Sequence, residues 1–407
     1  MMSSDARAGH ETAAALIAAE MTFGARNYHP LPLVARHAQG VWITDVHGDR
    51  YLDCVSAYSA VNQGHAHPRI VAALTEQAGR LALTSRAMHN DVLPRFLQRL
   101  TEVCEYEVAL PVNTGVEASE TAVKLLRRYG YRVKGIPADQ AEVIVCHHAF
   151  HGRTTTAISM SSDEEYRVDF GPLTPGFVHV PYGDLAALEA AIGPRTAGFI
   201  VEPIQGEGGV NVPPIGYLRA AADLCRQHRV LFVADEIQTG FGRTGALFAS
   251  REEGVQADVL IVGKALGGGV YPVSAVLASR DLMGLFEPGS HGSTFGGNPL
   301  GSAVALAAID VLLDERLVDC ARERGEELLA SLRAIESPAI REVRGRGLLI
   351  GVELTIPARA VAEALLTERI IAKDTHSTVL RLAPPLVITA EQTATIAPAL
   401  ERVLARL

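Results

Sequence analysis

Four short runs of this chain are apolar at successive positions instead of alternate ones. They are EVIVC from Glu142, GFIV from Gly198, VLFVA from Val230 and DVLIV from Asp258. A strand buried on both faces reads this way, whereas a strand with one wet face alternates. Between the runs lie stretches of helical period, such as YLRAAADLCRQH from Tyr217. The succession predicts an α/β domain with a mostly parallel sheet. Earlier, VWITDVHGDRYLDCV predicts a hairpin that turns at His47 and Gly48. Beyond about Gly301 the pattern becomes long amphipathic helix through LVDCARERGEELLASLRAIE, followed by strand-like runs in VRGRGLLIGVEL and VLRLAPPL. These predict a second, smaller α+β domain towards the C-terminus.

Loops that follow parallel strands gather at one edge of the sheet, where ligands bind. The chemically suggestive residues occupy those loops: His147 to Arg153, Glu202 to Gly209, Asp235 to Gly242 and Lys264 to Gly269. In VNTGVEASETAVKLL a helix is predicted from about Glu117. The N–H groups of Gly115 and Val116 there could receive an anion, or the Thr-Gly pair could simply cap the helix. Asp235 ends a buried run, so its carboxylate needs a partner. A loop cap would satisfy it, and so would the protonated nitrogen of a pyridine cofactor.

Lys264, in GKALGGG, sits at the next strand end, where packing seldom calls for lysine. Desolvation there lowers an amine's pKa and makes it a nucleophile towards aldehydes. The stretch is not a nucleotide phosphate loop, because Ala265 stands where that motif needs Ser or Thr. SHGSTFGGNPLG, from Ser290, is another anion-friendly loop, or a turn-rich connector. His147, His148 and His151 invite a metal reading, but no Asp, Glu or Cys nearby completes a ligand set, and no metal is expected. His65 and His67, beside Pro68, fit a turn.

Composition narrows the classes. The chain has 407 residues and a formal charge of −9, which argues against nucleic acid or an anionic membrane as partner. Its 5 cysteines are scattered with no CxxC pair, as expected of reduced thiols. The first residues lack a basic stretch followed by an apolar core, and AVALAAIDVLL is short and broken by Asp310. No export signal or membrane span is expected, and the cytoplasm is the expected compartment.

Taken together, SAYSAVNQGHAHP, VNTGVEASETA, FHGRT, VEPIQGEGGV, LFVADEIQTGFGRTG, GKALGGGVYPVSAV, GSTFGGNPLG and VRGRGLL resemble the class III pyridoxal-phosphate aminotransferases. DEIQTG followed by GKAL is specific to that class. NYHPLP and SAYSAVNQGH narrow the resemblance to the ornithine aminotransferase family. It runs from Asn27 to the RLAPPL at Arg381. His151 stands where animal members would carry Trp, and Phe295 where they would carry Tyr.

The resemblance implies the type I fold of pyridoxal-phosphate transferases. Residues 1–50 would form an N-terminal segment packed on the small domain, 51–300 the large cofactor-binding domain and 301–407 the small C-terminal domain. Lys264 would hold pyridoxal 5'-phosphate as a Schiff base and shuttle a proton between substrate carbon and the cofactor's C4′. Asp235 would pair with the ring nitrogen, Gln238 would lie near the 3-hydroxyl and Phe150 would stack on the ring. Gly115 and Val116 would bind the phosphate. Ser293 and Thr294 would reach the phosphate of a neighbouring subunit, which implies a homodimer with shared sites.

For the substrates, the resemblance implies Tyr28, Tyr58, Arg153, Glu202, Glu207 and Arg381. Arg381 would clamp the α-carboxylate of 2-oxoglutarate, with Glu207 neutralising it during the first half-reaction. Arg153 would hold the distal carboxylate, and ornithine's α-carboxylate in its turn. Tyr28 and Tyr58 would recognise ornithine's α-amino-acid end. The implied reaction is ping-pong transfer of the δ-amino group of L-ornithine to 2-oxoglutarate. N-acetylornithine or another ω-amino acid on the same machinery is the rival reading. A non-catalytic cofactor-binding protein is a more distant one, against which the intact set Lys264, Asp235 and Arg381 speaks.

Overall fold

The structure, a computed structural model, describes residues 12–407, so the reading of the extreme N-terminus lies outside the described residues. Seven strands form the central sheet, in the order Val108–Val112, Ser274–Ala278, Val259–Val262, Leu231–Asp235, Thr196–Val201, Glu142–Cys146, Phe177–Val180. Only Ser274–Ala278 runs against the others, pairing antiparallel on both sides. The remaining neighbours pair in parallel.

The continuous apolar runs have their reason here. Val143 and Val145 enter one apolar cluster, while Ile144 and Cys146 enter the other. Leu231 and Val233 likewise face away from Phe232 and Ala234. Successive side chains of a strand point to opposite faces, and both faces of this sheet are covered. The long helix Gly115–Arg132 packs on one face, and Tyr217–Gln227 packs against Leu231–Asp235 on the other.

Two smaller sheets flank this unit. Ala35–Gln39, Trp42–Asp45 and Arg50–Asp53 form an antiparallel meander. Its turn has Gly48 at φ +90°, and Asp45 Oδ1 accepts from the N–H groups of His47 and Asp49, both at 2.9 Å. The meander is completed by Ile370–Ile371, which pairs in parallel with Arg50–Asp53. The other sheet is antiparallel, in the order Ile340–Arg346, Leu349–Leu354, Val379–Leu382, Lys373–Thr375. Arg381 lies on its third strand.

The predicted single long helix past Gly301 is two helices, Pro299–Asp314 and Leu317–Arg333. Arg316 separates them with φ +53°, a left-handed residue that an α-helix cannot continue through. Four consecutive non-glycine residues, Ser56 to Ser59, also have positive φ, and this left-handed turn carries Tyr58. Cys54, Cys104, Cys146 and Cys225 are buried and unpaired. Among the described residues no helix is long and apolar enough to cross a membrane.

Candidate active site

The carboxyl ends of the parallel strands surround a cavity of about 190 Å³. Gly115, Val116, Phe150, His151, Glu202, Glu207, Asp235, Gln238 and Lys264 all line it. Each comes from a loop after a different strand, so residues spread over half the chain converge through topology alone. The helix Gly115–Arg132 points its N-terminus at this space. A capping box at Thr114 and Glu117 secures its first turn. The first N–H groups of a helix have no intrahelical acceptor, which leaves Gly115 and Val116 as donors beside the cavity.

Lys264 follows the strand Val259–Val262 in a left-handed conformation, φ +46°. Burial pushes its amine pKa down, and Arg381 acts in the same direction, against the pull of Glu207, Glu202 and Asp235. Asp235 is 3% exposed. Its Oδ1 accepts from the Ile237 N–H at 3.1 Å, and its Oδ2 lies 2.6 Å from His151 Nδ1. Glu202 accepts from the Phe150 N–H at 3.0 Å. Burial, with the charge of Asp235, raises its carboxyl to about 8 in spite of His151, that N–H and Lys264.

Glu207 has the opposite fate. Burial alone would raise it, but Arg381, Lys264 and Gln238 hold it at about 2. Its Oε1 is 2.6 Å from Arg381 Nη1 and accepts from Gln238 Nε2 at 2.9 Å. Gln238 fits because residue 206 is glycine: a Cβ there would stand 1.4 Å from the Gln238 Oε1. That Oε1 and Nη2 of Arg381 are buried polar atoms without a partner among the described residues. Tyr58 lays its ring 4.9 Å from the Arg381 guanidinium carbon.

Two outer cavities adjoin this floor, of about 280 Å³ and about 470 Å³. Arg153 and Tyr166 line the first, Tyr58 and Asp53 the second, and Tyr28 lines both. Arg153 stacks over Tyr166 at 3.6 Å from its centroid and lies 5.5 Å from that of Phe150. Ser293 and Thr294 do not line the cavity of their own chain. Ser293 Oγ accepts from Asn113 Nδ2 at 3.0 Å, next to the cradle at Gly115, and Thr294 is exposed.

This arrangement is matched throughout by a known family. The sequence profile of the Aminotransferase class-III family matches residues 23–404. The chain belongs to the class-III aminotransferases. The ornithine aminotransferase of Bacillus cereus (strain Q1) is 56% identical over 370 residues, 91% of this chain and 93% of that one. The protein of the same name from an Exiguobacterium species is 57% identical over 383 residues, 94% of this chain and 96% of that one. Among solved structures, the ornithine aminotransferase of Toxoplasma gondii ME49 superposes with a TM-score of 0.96 at 44% identity, covering 98% and 96% of the two chains. The acetylornithine aminotransferase of Elizabethkingia anophelis superposes at 0.89 with 45% identity, covering 98% and 100%.

Within this class-III site the sequence reading overlooked two residues. Tyr166 carries no motif, and only its stacking on Arg153 reveals it. His151 was visible, but as one of a histidine group that the fold disperses. His147 stacks on His179, His148 meets His376 edge-on, and His151 turns inward to Asp235.

Proposed function

We propose that this aminotransferase transfers the δ-amino group of L-ornithine to 2-oxoglutarate, yielding glutamate 5-semialdehyde and glutamate, with pyridoxal 5'-phosphate as cofactor. The observation that carries this reading is the Glu207–Arg381 pair, 2.6 Å apart, facing Lys264 across one cavity. The names of the similar bacterial proteins support it.

The residues present fit the cofactor. A helix N-terminus suits its phosphate, the buried Asp235 suits a pyridine nitrogen, and the walls of Val116, Phe150 and Ile237 suit a flat ring. Lys264 has the amine, lowered by burial, that an aldehyde requires. When bound, the cofactor supplies an electron sink that lets an amino group leave one substrate and join another.

The chain's own residues do the rest. Lys264 Nζ accepts a proton from the substrate carbon and returns it at the cofactor's C4′. Arg153, at the mouth, receives the α-carboxylate of ornithine, while Tyr28 and Tyr58 flank its α-amine. This orientation presents the δ-amine to the floor. Arg381 must stay silent at that stage, and Glu207 silences it, since a paired guanidinium offers little to a second carboxylate. When 2-oxoglutarate arrives, its α-carboxylate displaces Glu207 and takes the bidentate fork of Arg381. We extend the proposal to a homodimer in which the exposed Thr294 of one subunit completes the phosphate site of the other.

The test mixes cofactor-loaded protein separately with ornithine, N-acetylornithine and 4-aminobutyrate, following loss of the cofactor absorbance. Ornithine is expected to react at least about tenfold more efficiently, the equivalent of one lost polar contact. A faster reaction with N-acetylornithine would replace this substrate assignment with the acetylated one.

A further inference from the structure

We infer that His151 is a positioning residue that biases the proton shared by Asp235 and the cofactor's ring nitrogen towards the nitrogen. The inference rests on the reading of this cavity as a pyridoxal-phosphate site. It goes beyond that reading in giving a task to a histidine that touches neither substrate nor cofactor.

The geometry leaves His151 little choice. Its side chain is fully buried, and Nδ1 lies 2.6 Å from Asp235 Oδ2. Only a protonated Nδ1 can face a carboxylate oxygen so closely, because the other neutral tautomer would oppose two lone pairs. The second nitrogen, Nε2, is buried without a partner among the described residues. The Nδ1–H therefore points at Asp235 in the neutral ring as well as in the cation. Gly152 helps to seat this segment: it has φ +124°, and a Cβ on it would come within 2.3 Å of Val116 Cγ2.

The charged groups around His151 divide the work. Asp235 faces it directly, Glu202 stands behind, and Lys264 lies across the cavity. Burial works against protonation of His151, but the bond to Asp235 and the charges of Asp235 and Glu202 outweigh it and raise its pKa. Glu202, raised to about 8, keeps its own proton at neutral pH. Asp235 is thus the carboxylate that His151 serves.

Two donors, Ile237 N–H and His151 Nδ1–H, aim at that buried carboxylate. When a pyridine nitrogen faces Asp235, one proton has two possible homes: the carboxyl oxygen or the ring nitrogen. A hydrogen-bond donor binds a carboxylate more strongly than it binds a carboxylic acid. Each donor on Asp235 therefore moves the proton away from oxygen and onto nitrogen. A protonated ring withdraws electrons better, so His151 acts on the reaction rate through Asp235.

The experiment loads the parent protein, His151→Phe and His151→Gln with pyridoxal phosphate carrying ¹⁵N in the ring, and reads nitrogen protonation from its NMR shift. The parent is expected to show a protonated nitrogen and His151→Phe a shift towards the unprotonated value. His151→Gln, whose amide can donate to Oδ2, is expected to restore it. In His151→Phe, kcat is expected to fall by about ten- to a hundredfold, the range for a hydrogen bond to a charged group, with KM nearly unchanged. An unchanged nitrogen signal in His151→Phe overturns the inference, as does a His151→Gln signal identical to that of His151→Phe. Failure of the parent to bind pyridoxal phosphate would instead overturn the reading of the site. A cofactor-free control covers misfolding of the variants: the His151 imidazole is expected to titrate above its ordinary value of 6.5 in the parent and lower in Asp235→Asn. Equal midpoints in those two proteins would also count against the inference.

Discussion

The floor of the site and its mouth are built by different means. The floor residues Asp235, Glu202 and Lys264 stand at or just past strand ends of one sheet, buried among side chains that fix them. The mouth is assembled from distant pieces: Tyr28 from the N-terminal segment, Tyr58 from a left-handed turn, Arg153 from a loop and Arg381 from a separate sheet. Tyr28 is 78% exposed, whereas Arg381 is 2% exposed. Chemistry is thus fixed by a rigid scaffold, and substrate choice by segments whose positions depend on one another.

Substitutions can test this division. The largest effect is expected for Lys264→Ala, which removes nucleophile and proton carrier together. Turnover of ornithine is expected to fall on the order of 10³-fold or more, with loss of the lysine-bound cofactor absorbance. Turnover at the parent rate would erase the distinction between floor and mouth. Next comes Arg381→Ala, which deletes a guanidinium fork. Single-turnover measurements are expected to show roughly a hundredfold loss with 2-oxoglutarate and a much smaller change with ornithine. Equal losses in both halves would deny Arg381 its separate role.

Tyr166→Ala removes the ring under Arg153. The KM values for ornithine and 2-oxoglutarate are expected to rise together, by about three- to tenfold, with kcat preserved. A change confined to one substrate would mean that Arg153 serves only that one.

The smallest effect concerns stability. In the folded chain Glu202 titrates at about 8, against an ordinary 4.5. Between those values the folded chain holds a proton that the unfolded chain has released. Its contribution is therefore complete below 4.5 and fades as pH rises through about 8. Thermal unfolding of Glu202→Gln is expected to show a shallower decline over that window than the parent. An identical slope would mean that Glu202 is ionised when folded.

How much of this was legible beforehand follows the same division. The buried strands announced themselves as unbroken apolar runs, and the loops after them as the edge where ligands bind. The reversed strand Ser274–Ala278 gave no such sign, because direction within a sheet leaves no mark on a run that is buried on both faces. At the floor, Lys264 and Asp235 were conspicuous because lysine and aspartate at buried strand ends demand a reason. Tyr166 was silent, since a tyrosine in an ordinary loop becomes informative only once Arg153 is seen lying on it. His151 was seen and misjudged: sequence proximity grouped it with His147 and His148, whereas a strand-to-loop transition sends neighbours in different directions.

The parallel pairing of Leu52 with Ile370 has a consequence in time. During synthesis the strand Arg50–Asp53 can find its hairpin partner at once, but Ile370 leaves the ribosome only after most of the chain has been made. Contacts so far apart in sequence form late. The central sheet, with Lys264 and Asp235, can therefore close before the segment bearing Tyr58 is locked against the C-terminal strands. The nascent protein acquires its reactive floor first, and its discrimination between substrates only when its last strands arrive.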